Sequence, residues 1–116
     1  MINDPPRQVR LVSIIIPCHN EVRHVAEVIT RVQAADLGGL ERELIAVDDG
    51  SSDGTADVLR RLPGVNVSSY PINRGKGAAG KAGFAAAAGQ VVLIQDADLE
   101  YDPADYGAVL APIVAG

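Results

Sequence analysis

Leu11-Val12-Ser13-Ile14-Ile15-Ile16 is an apolar, largely β-branched run without regular polar alternation, and this feature constrains the fold more than any other. A strand that faces water on one side alternates. One that reads as almost continuously apolar is buried on both faces, which requires helices above and below a mainly parallel sheet. Val91-Val92-Leu93-Ile94 repeats the pattern near the other end of the chain.

Between and around these runs, strand and helix signals alternate. Val9 to Pro17 is predicted as the first strand, stopped by Pro17. Glu21 to Ala35 sets Val22, Val25, Ile29 and Val32 at helical spacing, and Asp36-Leu37-Gly38-Gly39 closes that helix. Glu43 to Val47 is a second strand, Thr55 to Leu62 a short helix ended by Pro63-Gly64, and Val65 to Tyr70 a third strand. Ala78 to Ala88 is helical by composition and tolerates Gly80 and Gly83 only where something packs closely. The fourth strand follows, and Asp102-Pro103 opens a last helix running toward Pro112. This alternation predicts an α/β, Rossmann-like domain: right-handed crossovers, helices on both faces, and strand order 3-2-1-4.

In that order strands one and four are neighbours at the switch point, where ligands bind beyond the C-terminal strand ends. Asn20 and Glu21, then Asp48 and Asp49, then Asn73 to Lys76, then Asp96 and Asp98 all fall on this one rim. Asp96 and Asp98 are two residues apart, so an extended backbone across Ala97 turns both carboxylates to the same side. A carboxylate leaving a buried strand has little solvent and needs a partner. With oxygen donors and no His/Cys cage, Mg²⁺ or Mn²⁺ is the fitting cation. The competing reading is that Asp96 ends a strand and Asp98 caps a helix; for Asp53, Ser52 and Asp102 the cap reading is preferred. His19 and His24 read as a loop and a surface-helix histidine.

Gly75-Lys76-Gly77-Ala78-Ala79-Gly80-Lys81 comes within one residue of the phosphate loop G-x-x-x-x-G-K-[ST], which suggests a nucleotide hydrolase as an alternative. Ala82 stands where that loop needs a metal-binding hydroxyl. Arg74, Lys76 and the amides at a helix start form either a phosphate-holding loop or a glycine turn with two solvated cations.

The 116-residue chain is one domain's length, and its net charge of −5 with no basic stripe argues against nucleic acid as a partner. The single cysteine, Cys18, suits a reducing compartment and reads as a small buried hydrophobe. Residues 1–8 are polar with two prolines, read as a flexible arm rather than a signal peptide. No stretch reaches the roughly 18 apolar residues of a membrane span.

Ile14-Ile15-Ile16-Pro17-Cys18-His19-Asn20-Glu21, Val47-Asp48-Asp49-Gly50-Ser51-Ser52-Asp53-Gly54-Thr55, Asn73-Arg74-Gly75-Lys76-Gly77 and Asp96-Ala97-Asp98, in this order and at these spacings, closely resemble the family 2 glycosyltransferases. Asp96 through Pro103 and the Asn73 loop look most like the polyprenyl-phosphate, dolichol-phosphate-mannose-synthase-like branch. The resemblance implies residues 9–116 are the nucleotide-sugar-binding part of an A-type fold. By similarity, Pro17, Asn20 and Glu21 border the base and ribose, Asp48 and Asp49 bind the base or order its pocket, and Arg74 and Lys76 lie near the donor. Asp96 and Asp98 match a metal–diphosphate motif, and Glu100 falls where relatives carry another metal-facing group. The implied reaction is inverting, metal-dependent transfer of a hexose from a GDP- or UDP-sugar to an acceptor such as polyprenyl phosphate. A phosphate acceptor is already largely ionised near neutral pH and requires no general base; none is assignable here.

Family members continue with acceptor-side elements, so the expectation is an incomplete catalytic domain, cytoplasmic or peripheral at the cytoplasmic membrane face. Cys18-His19 stands where relatives often have a small residue and an aromatic. The non-enzymatic alternative is an inactive fragment that acts as a binding domain and forms homo-oligomers through its bare sheet edge.

Overall fold

The computed structural model describes residues 9–98 and 102–114. The arm expected over residues 1–8, and Glu100, lie outside the described residues. In chain order the elements are β1 (Leu11–Cys18), α1 (Val25–Ala34), β2 (Glu41–Asp49), α2 (Thr55–Arg61), β3 (Val65–Tyr70), α3 (Lys76–Ala86) and β4 (Val91–Ile94), then a 3-10 turn (Pro103–Asp105) that runs into α4 (Tyr106–Val114). The four strands are parallel in the order β3-β2-β1-β4, as the alternation predicts.

Strand alternation sorts the core onto two faces. Val12, Ile14 and Ile16 of β1, with Leu44 and Ala46 of β2, pack against Val25, Val28, Ile29 and Val32 of α1 and against Tyr106 and Leu110 of α4. On the other face Ile45 and Val47 meet Ala79 of α3. A Cβ at Gly83 would lie 2.3 Å from Ile15 Cγ2, so only glycine lets α3 approach the sheet there. Gly80, by contrast, has open space where its side chain would be. Each fully buried aliphatic side chain contributes roughly 1.5–3 kcal/mol. β4 is one edge of the sheet, and Ile94 on it is 61% exposed.

Several boundaries differ from the sequence reading, each for a local reason. β1 runs through Pro17 to Cys18 instead of stopping at the proline. Ile15 O accepts from Gln95 N, so residue 15 and, by alternation, residue 17 are turned toward β4. The pairing with β4 ends at Ile94, and Pro17 has no N–H with which to extend it. α1 begins at Val25 rather than Glu21: residues 22–24 form a turn, with the amides of Glu21 and Val22 bound to Thr55 Oγ1 and Asp53 Oδ2. β2 extends to Asp49, so the two acids belong to the strand rather than to the loop after it.

α3 begins at Lys76, which removes the phosphate-loop reading. Residues 76–81 are helix, so their backbone is not a loop that wraps a phosphate. Lys81 lines an apolar groove with Phe84 and Ile94.

Candidate functional site

Beyond the C-terminal ends of β1, β2 and β4 lies a cleft of about 260 Å³. Pro17, Cys18, His19 and Glu21 contribute one wall, Asp49 and Asn73 the next, Gly75, Lys76 and Ala79 a third, and Asp96, Ala97 and Asp98 the last.

Asp49 organises the second wall. Its Oδ1 accepts from Arg74 N and its Oδ2 from Gly75 N, both at 2.8 Å, and Asn73 Oδ1 shares the Gly75 amide at 2.9 Å. Charge-assisted bonds of this kind are among the stronger ones, and here they pin the loop after β3 to the end of β2. Gly50 lets the loop come that close: its φ is +70°, and a Cβ there would sit 2.4 Å from Asn73 N. The Asp49 carbonyl also accepts from His19 Nδ1 at 2.9 Å, so that nitrogen carries its proton.

The loop after β1 is braced from behind. Asn20, at φ +53°, donates its amide to Ser51 Oγ and accepts from Ser52 N at its Oδ1. Asp53 accepts from Val22 N at Oδ2, and from Thr55 N and the Thr55 hydroxyl at Oδ1. Desolvation opposes ionisation of Asp53, but hydrogen bonds from the Thr55 hydroxyl and the Val22 and Thr55 amides prevail and hold its carboxyl below the usual range. Asp53 therefore does the local capping expected of it, although the residue preceding α2 is Gly54. Asp102 likewise accepts from Ala104 N.

Alternation along β2 sends Asp48 to the face opposite Asp49, beside Cys18 in the register. Asp48 is 3% exposed, and its Oδ1 has no hydrogen-bond partner among the described residues. Burial first, then the Asp48 and Glu21 carboxylates, push the Cys18 thiol up to about 12, so it remains a neutral S–H, donating to Ile16 O. The Arg74 guanidinium lies over the Tyr70 ring, 5.1 Å from its centroid.

Of the ten residues singled out from the sequence, the cleft gathers Pro17, Glu21, Asp49, Lys76, Asp96 and Asp98. Asn20, Asp48 and Arg74 do not line it, and Glu100 is outside the described residues. Six lining residues were not among the ten: Cys18, His19, Asn73, Gly75, Ala79 and Ala97. The signal for His19 was its place directly after the strand at the switch point.

Lys76 Nζ forms an ion pair with Asp96 Oδ1, and α3 opens at this lysine with no side-chain cap on its first turn. Among the described residues no three His, Cys, Asp or Glu side chains converge as a metal cage. The donor set nonetheless fits a hard divalent cation. Asp96 and Asp98 both line the cleft, and Mg²⁺-type ions commonly take one or two carboxylates and fill the remaining positions with water and substrate phosphate. The Lys76 ammonium already places positive charge against Asp96.

The sequence pattern of glycosyl transferase family 2 matches residues 13–116. The chain belongs to glycosyl transferase family 2. Within the family it is 38% identical over 103 residues to the undecaprenyl-phosphate 4-deoxy-4-formamido-L-arabinose transferase of Edwardsiella ictaluri, matching 84% of this chain and 32% of that protein. The enzyme of the same name from Aeromonas hydrophila is 35% identical over 114 residues, covering 93% of this chain and 35% of its own. The chain thus spans about a third of the length of these curated relatives. Among solved structures, a mannosyltransferase from Pyrobaculum calidifontis in complex with GDP-Man and Mn²⁺ superposes with a TM-score of 0.76 at 30% identity, over 93% of this chain and 34% of that one. Glucosyl-3-phosphoglycerate synthase from Mycobacterium tuberculosis, in complex with Mn²⁺, UDP and glucosyl-3-phosphoglycerate, gives 0.74 at 29%, over 92% and 40%. The family 2 membership and these neighbours agree with the A-type glycosyltransferase fold implied by the sequence motifs.

Proposed function

We propose that this family 2 domain binds a nucleoside-diphosphate hexose, GDP- or UDP-linked, across the cleft and passes the sugar, with inversion, to a polyprenyl phosphate at the cytoplasmic membrane face. The observation that carries the reading is the convergence of Asp96, Asp98, Lys76 and the Asp49-pinned loop on one cleft at the β1–β4 switch point. His19, Glu21 and Asn73 line the cleft and would offer polar groups to a base and ribose. The uncapped first turn of α3 and its Lys76 favour negative charge, which suits a diphosphate. Asp96 and Asp98 would hold Mg²⁺ or Mn²⁺, which when bound supplies charge stabilisation for the departing nucleoside diphosphate. Undecaprenyl phosphate in the names of two relatives supports the acceptor class. With such an acceptor the nucleophile is an ionised phosphate oxygen, in keeping with a cleft in which no general base is assigned.

The test is calorimetric titration with GDP, UDP and their sugars, with and without Mn²⁺. Wild-type protein is expected to bind at least one nucleotide more tightly with Mn²⁺, and Asp98→Ala to lose that gain by about tenfold or more. Absence of any metal-dependent gain in the wild type, or a full gain in Asp98→Ala, overturns the reading.

A further inference from the structure

Gln95 is 1% exposed and Tyr106 7%, both within a face otherwise built of aliphatic side chains. Burying a primary amide there costs free energy unless its polar atoms are paired, and a leucine would pack the site without that demand. The amide is paired in a specific way. Tyr106 Oη donates to Gln95 Oε1 at 2.5 Å, and Gln95 Nε2 donates to the Asp96 carbonyl at 3.1 Å. The Gln95 backbone N–H meanwhile donates to Ile15 O at 2.9 Å. Three bonds thus tie the last residue before the acidic turn to β1, to α4 and to the first carbonyl of the turn itself.

We infer that Gln95 and Tyr106 are positioning residues for the Asp96–Asp98 turn, setting the direction in which its two carboxylates enter the cleft. A peptide carbonyl held in one orientation fixes the backbone on either side of it. The backbone at Asp96 then leaves β4 with its side chain toward Lys76 on the α3 face, while Ala97 is buried among the α1 and α4 side chains. Asp98 follows onto the cleft side. The phenol of Tyr106 suits the task because burial raises its pKa, so the O–H remains a donor at any working pH. α4 is thereby coupled to the cleft although none of its described residues lines it.

This inference rests on the reading of Asp96 and Asp98 as cation ligands, and the experiment separates the two. Tyr106→Phe removes only the hydroxyl, and Gln95→Met keeps the volume while removing the amide. For each, the affinity for GDP or UDP is measured with and without Mn²⁺, beside Asp98→Ala and a thermal melt. Both variants are expected to lose roughly tenfold or more of the Mn²⁺-dependent gain, the effect of an outer-shell partner on metal affinity, with metal-free nucleotide binding unchanged. The double variant is expected to lose no more than the worse single one, because the two side chains act as a unit. A wild-type gain in both single variants overturns the inference, as does a parallel loss of metal-free binding and melting temperature, which marks a purely structural bond. If Asp98→Ala keeps the gain, the functional reading falls; if it loses the gain while Tyr106→Phe and Gln95→Met keep it, only the positioning role falls.

Discussion

Asp48 and Asp49 are adjacent acids with opposite fates. The sequence marks both as rim residues, and taken as loop positions they can share one pocket. Once β2 is seen to run to Asp49, period-two alternation sends one into the cleft and the other to the opposite face, beside Cys18. The rim was legible because it follows from strand order. The separation was not, because a run of Asp and Gly reads as a loop, and its pairing with Cys18 and Tyr70 comes from distant segments. The buried neighbour yields a prediction. The Cys18 thiol has a folded pKa near 12, above the roughly 8.5 of an unfolded cysteine. Its contribution to stability is therefore complete below about pH 8.5 and is lost as pH rises toward the folded value, by up to about 1.4 kcal/mol per unit. Urea unfolding between pH 8.5 and 9.5 is expected to show this decline in the wild type and a flatter profile in Cys18→Ala.

At the scale of elements, apolar runs and turn residues located the strands well: β3 occupies the predicted Val65–Tyr70. Helix starts were less legible. α1 starts late, after a turn at residues 22–24 that is tied to Asp53 and Thr55 from beyond β2. The need for close packing at Gly83 was readable from a glycine in an alanine-rich helix, but its partner Ile15 lies in another strand and was not. Gly83→Ala forces a methyl to within 2.3 Å of Ile15 Cγ2 and should cost about 1–3 kcal/mol. Ile15→Ala alone should cost about 2–5 kcal/mol. Together they are expected to destabilise less than the sum, because the new methyl occupies part of the space that Ile15 vacates; denaturant midpoints of the four proteins check this.

For the whole molecule, the core and the cleft meet only at Cys18, Ala79 and Ala97 among the described residues. The aliphatic core lies between sheet and helices, whereas the cleft sits past the strand ends with Asp96 already paired to Lys76. Chelation with EDTA is accordingly expected to leave the melting temperature unchanged. Mn²⁺ with a nucleotide at about a hundredfold its dissociation constant should add roughly 2.7 kcal/mol, read as a rise in the melting temperature.

Pro17 decides more than its own strand's hydrogen bonding. In a parallel ladder a residue that donates to position 15 next accepts from position 17. Gln95 makes the first bond, and the proline ring has no hydrogen with which to make the second. The ladder therefore loses its next rung at the residue preceding Asp96, and a more strand-prone sequence after Ile94 could not restore it. The point at which the acids part from the sheet is set by a ring closure in the first strand.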